Sequence, residues 1–131
     1  MMIDPITHIA AIVFILASGL VIVFQCALIG GAPWGELTMG GRWRGALPLS
    51  GRLIAGFSAL LLLSFIIVIA ARAQLGFLSL QGYAPTGTWL VVAYSALGCV
   101  ANAATPSKRE RRLWLPVVAC MLASSLTAAL S

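Results

Sequence analysis

Apolar residues fall into four long runs along the chain, over residues 6–29, 53–71, 88–104 and 113–130. The second is built around LLLSFIIVIA, and the third is shorter and richer in small side chains. An α-helix rises about 1.5 Å per residue, so roughly 20 apolar residues cross a hydrocarbon layer about 30 Å thick. Backbone N–H and C=O groups in lipid need partners within their own segment, which selects helix for runs of this length. None of the runs alternates apolar with polar positions, as barrel strands of about ten residues would. The pattern predicts an all-α fold: an integral membrane four-helix bundle forming one domain over residues 1–131.

Composition agrees. Hydrophobic residues make up 61% of the 131 and charged residues 8%, and mean hydropathy is +1.05. Three acidic and eight basic side chains cannot coat a water-soluble domain of this size. The N-terminus carries Asp4 where a cleaved signal peptide would carry Lys or Arg, so the first run is read as a retained span. The single cysteines Cys26, Cys99 and Cys120 share no CxxC spacing and read as small buried hydrophobes. His8 is the only histidine, which excludes two axial histidines for a haem within one chain. Neither a metal nor a cofactor is expected.

Charge sets direction. Arg42, Arg44 and Arg52 lie between the first two runs, Lys108, Arg109, Arg111 and Arg112 between the last two, and only Arg72 on the opposite side. Positive residues favour the cytoplasmic face. Both basic connections are therefore expected in the cytoplasm and both termini outside, in a bacterial cytoplasmic membrane. The same rule accounts for the net charge of +5 without nucleic acid as a partner. Trp34, Trp43 and Trp114 on the basic side, with Tyr83 and Trp89 on the other, read as head-group anchors.

The 30–52 connection is long, with seven glycines and two prolines among apolar residues. It is expected to fold back on the head-group layer, turning at Gly40–Gly41. Beside Arg42, Arg44 and Arg52 its N–H groups offer an anion site such as a lipid phosphate would fill; a plug sealing the bundle is the plainer alternative. The cluster Lys108, Arg109, Arg111 and Arg112 likewise offers contact to anionic lipid, or serves only to orient the chain. Glu36 reads as an acid/base candidate or as the ion-pair partner of a neighbouring arginine. Ser107 and Glu110 have the spacing of a capping box, with Thr105–Pro106 as a competing helix start. Pro116 falls inside that helix, where a kink is expected.

Polar side chains inside the spans need partners. Gln25 and Asn102 fall at similar depth, either as an interhelical amide pair joining spans one and three or as the lining of a polar pocket. Ala119, Ala123 and Thr127 at four-residue spacing predict close packing of span four against span three.

The strings GAPWGELTMGGRWRGALP and TPSKRERRLWLP resemble motifs of small bacterial four-span membrane proteins that generally carry no assigned function. In that group a Gln before the Gly-rich loop and an Asn before the second basic motif recur, here Gln25 and Asn102. The chain is similar in size to the small multidrug transporters but lacks the acidic residue their first span relies on. It is also similar in size to the fluoride channels but lacks their Asn- and Thr/Phe-rich pore motifs. With no catalytic constellation legible, the leading expectation is a non-catalytic accessory, scaffold or assembling subunit, as a homo-oligomer or in a membrane complex. A lipid-handling protein using Glu36 and the loop arginines is the second. An oligomeric small-solute transporter or channel lined by Gln25, Ser95 and Asn102 is the third. The charge count makes one direct prediction: alkaline phosphatase fused after Ser131 is active in bacteria, and the same enzyme inserted at residues 105–107 is inactive.

Overall fold

The computed structural model describes residues 4–131. Four helices run in order: α1 (Pro5–Ile29), α2 (Leu49–Arg72), α3 (Ala84–Ala104) and α4 (Lys108–Leu130). Each is long and apolar enough to cross a membrane. At 1.5 Å per residue they are about 31 to 37 Å long. Helices α2, α3 and α4 begin a turn or so before their apolar runs, because polar flanks continue the hydrogen-bond ladder beyond the apolar stretch. In α1, Pro5 occupies the first turn and Asp4 Oδ1 accepts the Ile6 N–H at 3.0 Å. Helix α4 continues through Pro116.

The helices pack around a square. Helix α1 lies against α2 and α4, and α3 lies against α4 and α2; the α3–α4 interface is the most extensive. Helices α1 and α3 therefore stand on a diagonal. Apolar side chains point both ways. Ala11, Phe14, Leu62, Ile69, Val91 and Met121 form one sealed cluster, each at most 2% exposed. Phe24, Leu28, Leu47, Ala55 and Trp114 form a second where the 30–48 and 105–107 connections meet, at the loop end of the bundle. Leu16, Val23, Phe57, Leu60, Leu97 and Val100 project outward, all more than 60% exposed. Apolar surface this extensive on every helix suits hydrocarbon, not water.

Three expectations change. The Ala119–Ala123 stripe of α4 faces outward, and the buried face of that helix is Met121, Ser124, Ser125 and Ala128. Small residues still line the interface, on the opposite side of α4 from that expected. Cys26 and Cys120 are exposed on the apolar surface, not buried; only Cys99 is partly covered. Trp114 is 8% exposed and packs in the loop-end core, tilted against Phe24 at 4.6 Å between ring centroids, so it is no surface anchor. At the far end, the Arg72 guanidinium donates to the Ser131 carbonyl and ties the end of α2 to the end of α4.

The first connection is a compact fold of two short 3-10 turns, Gly35–Leu37 and Met39–Gly41. Gly40 and Gly41 turn the chain with φ of +73° and +72°, as the glycine spacing predicts. Gly35 is required for a different reason. Its N–H donates to the Gly45 carbonyl at 2.8 Å, and a Cβ there would lie 2.4 Å from the Trp43 carbonyl oxygen. Gly35→Ala should therefore lower stability by about 1–3 kcal/mol through overpacking. Gly19→Ala, with open space around it in α1, should leave the protein as stable or slightly more so. Thermal unfolding of the two variants in lipid nanodiscs measures the contrast.

Candidate functional site

The site begins at the first turn of α4. Ser107 caps the helix, its hydroxyl oxygen accepting the Glu110 N–H at 3.2 Å. In a full capping box the glutamate would return to the cap residue's N–H. Here the Ser107 N–H donates instead to Thr105 Oγ1 at 3.3 Å, which leaves the Glu110 carboxylate free to turn inward. Its Oε2 accepts the Gly40 N–H at 2.8 Å and the Thr105 hydroxyl at 3.1 Å. Glu110 is 9% exposed.

Three further bonds hold the loop to α4. The Ser107 hydroxyl donates to the Glu36 carbonyl at 2.9 Å, and Trp114 Nε1 donates to the Leu37 carbonyl at 2.8 Å. The Arg109 guanidinium pairs with Glu36 Oε2 at 3.1 Å. Glu36 thus has an ion-pair partner from the other basic connection, on the exposed rim.

Beneath the loop lies a cavity of about 150 Å³ reached by all four helices. Its polar lining is Gln25 from α1, Thr38 from the loop, Ser58 from α2, Tyr94 and Asn102 from α3, and Glu110 from α4. Phe24, Leu62, Trp114, Val118 and Met121 supply the apolar walls. Gln25 and Asn102 share this cavity but form no amide pair. Asn102 Nδ2 donates to the Gly98 carbonyl of its own helix at 2.8 Å. Gln25 Oε1 is buried with no hydrogen-bond partner among the described residues. The diagonal placement of α1 and α3 accounts for this: the two amides face one space without touching. Spans one and three are not joined by an amide bond between these two side chains.

None of the six candidate arginines lines the cavity. Arg42 is exposed, its guanidinium 4.9 Å from the centroid of the adjacent Trp43 ring. Arg44 and Arg112 are exposed. Arg52 Nε donates to the Leu47 carbonyl at 3.0 Å, and an Arg111 terminal nitrogen donates to the Thr105 carbonyl at 3.0 Å. With Arg109 on Glu36, these cations brace the loop end from outside.

Buried polar side chains continue the cavity's polarity along the bundle. On α3 they recur every seven residues from Asn102 through Ser95 to Thr88, and on α1 from Gln25 to Ser18. Ser18 and Ser95 are 0% and 2% exposed, and their hydroxyls have no partner among the described residues. Thr7, farther along α1, is 1% exposed and equally unpartnered. The Thr88 hydroxyl, by contrast, donates to the Ala84 carbonyl. The cavity reaches Val21 on α1 and Tyr94 on α3, so Ser95 is level with its deep end and Ser18 lies about one turn beyond it. The apolar cluster around Phe14, Ile69 and Val91 closes the bundle beyond them.

Gln25 and Asn102 line the cavity and Ser95 is buried in the bundle, while Glu110 is a lining group that sequence reasoning misses. The seven-residue polar spacing is the signal that could have found Ser18. Glu110→Ala should leave the Gly40 N–H without its acceptor and cost roughly 1–3 kcal/mol, with faster amide exchange at residues 35–41. Glu110→Gln, which keeps an acceptor oxygen, should lose less. Arg109→Ala should cost under about 1 kcal/mol, because that pair is open to solvent. No family model, curated protein or solved structure matches this chain, so its function is read from the cavity.

Proposed function

We propose that this protein is a non-catalytic carrier in a bacterial cytoplasmic membrane. It takes a small polar solute from the cytoplasm into the loop-end cavity and passes it along the buried hydroxyl seam. Orientation rests on the basic residues, seven of eight at the loop end, in the 30–48 connection and the first turns of α2 and α4. The observation that carries the function is the run of unpartnered buried polar atoms, Gln25 Oε1 and the Ser18 and Ser95 hydroxyls. Such groups are costly in an apolar interior unless something pairs with them. Hydroxyls that serve only packing ordinarily bond a carbonyl one turn back in their own helix, as Ser124 does to Cys120 and Thr127 to Ala123. Those of Ser18 and Ser95 do not.

The sealed cluster of Phe14, Leu62, Ile69, Val91 and Met121 is the closed gate of this state. A carrier must close one side while the other is open, and this apolar cluster closes the bundle away from the loop end.

Thiol labelling tests the reading. With Cys26, Cys99 and Cys120 replaced by Ala, a single cysteine is introduced as Ser58→Cys, Ser18→Cys or Ser95→Cys. Inside-out vesicles are then treated with ethylammonium methanethiosulfonate and analysed by mass spectrometry. Reaction at all three positions is expected. Reaction at Ser58→Cys alone would mean that the seam is packing and that the protein serves as a binding or scaffold subunit.

A further inference from the structure

We infer that the solute is a small organic cation bearing several N–H donors, of the primary ammonium or guanidinium class. The inference rests on the carrier reading above and names the chemistry of its cavity. The lining is rich in free acceptors. Gln25 Oε1 is buried and unpartnered. Asn102 donates one amide N–H to the Gly98 carbonyl, and its side-chain oxygen has no partner among the described hydrogen bonds. Glu110 adds a carboxylate of which the described hydrogen bonds engage only Oε2. These three acceptors come from α1, α3 and α4. An ammonium has three donors to present to them, whereas a carboxylate ligand has none.

Charge points the same way. The cavity lining contains one acidic side chain and no Lys or Arg, although seven of the eight basic residues are at this end. Arg109 and Arg111 on α4 bind other groups, Arg109 the Glu36 carboxylate and Arg111 the Thr105 carbonyl. The exposed cations are screened within about 10 Å at ordinary salt, while Glu110 is buried and its charge is screened less. Phe24, Tyr94 and Trp114 place three aromatic side chains around the same space, and aromatic faces attract cations and reject anions. A cavity of about 150 Å³ limits the ligand to a few heavy atoms.

Three probes of matched size test this: n-propylammonium, propan-1-ol and propionate. Each is titrated into the full-length protein in nanodiscs, with tryptophan fluorescence reporting through Trp114 and calorimetry as a second readout. Propylammonium is expected to bind at least tenfold more tightly than propan-1-ol, with propionate weakest. Glu110→Gln should erase the preference for the cation. The wild-type ranking alone decides the matter if that variant folds poorly. Propan-1-ol matching propylammonium, or propionate exceeding it, would overturn the cation inference and leave the solute-binding reading standing. Binding of none of the three would overturn both.

Discussion

The hydrogen bond from the Gly40 N–H to the Glu110 carboxylate spans 70 residues of sequence and organises the loop end of the molecule. It fixes the turn at Met39–Gly41 against α4, beside the bonds of Ser107 to the Glu36 carbonyl and Trp114 to the Leu37 carbonyl. The same carboxylate faces the cavity, so one side chain both closes the loop over the site and supplies its only formal negative charge. The exposed Arg109–Glu36 pair adds little by comparison, being open to water and screened by salt.

The low dielectric of a membrane interior gives the rest of the polar lining its meaning. In water, an unpartnered serine or glutamine would be solvated at no cost. Between helices it lacks that option, so Gln25, Ser18 and Ser95 hold unmet hydrogen-bonding capacity inside the bundle. The hydroxyls of Ser124, Ser125 and Thr88, each bonded within its own helix, show how the same residue types behave when they serve the helix alone.

The fold is largely legible in the sequence, because four apolar runs and the helix rise leave few alternatives. The turn at Gly40–Gly41 is legible for a similar local reason: only glycine adopts positive φ there at no steric cost. What cannot be read is anything depending on which helices become neighbours. Spacing alone assigns the Ala119–Ala123 stripe to the interior, yet helix rotation turns it outward and brings Ser124 and Ser125 in. Glu110 is legible as a capping residue and not as a cavity wall. Its side chain is released by a competing local bond, Ser107 N–H to Thr105 Oγ1, which no spacing rule reveals.

The site exists because of the diagonal. Had α1 and α3 been adjacent, Gln25 and Asn102 would have met and satisfied one another, and the space between them would have closed. With α2 and α4 on the sides of the square, the two amides are held apart across a common cavity. Asn102 turns to its own backbone and Gln25 is left with a free oxygen. The arrangement that deprives the bundle of one interhelical bond is therefore the one that leaves acceptors available to a ligand. Glu110, entering from α4, adds a carboxylate to those neutral oxygens.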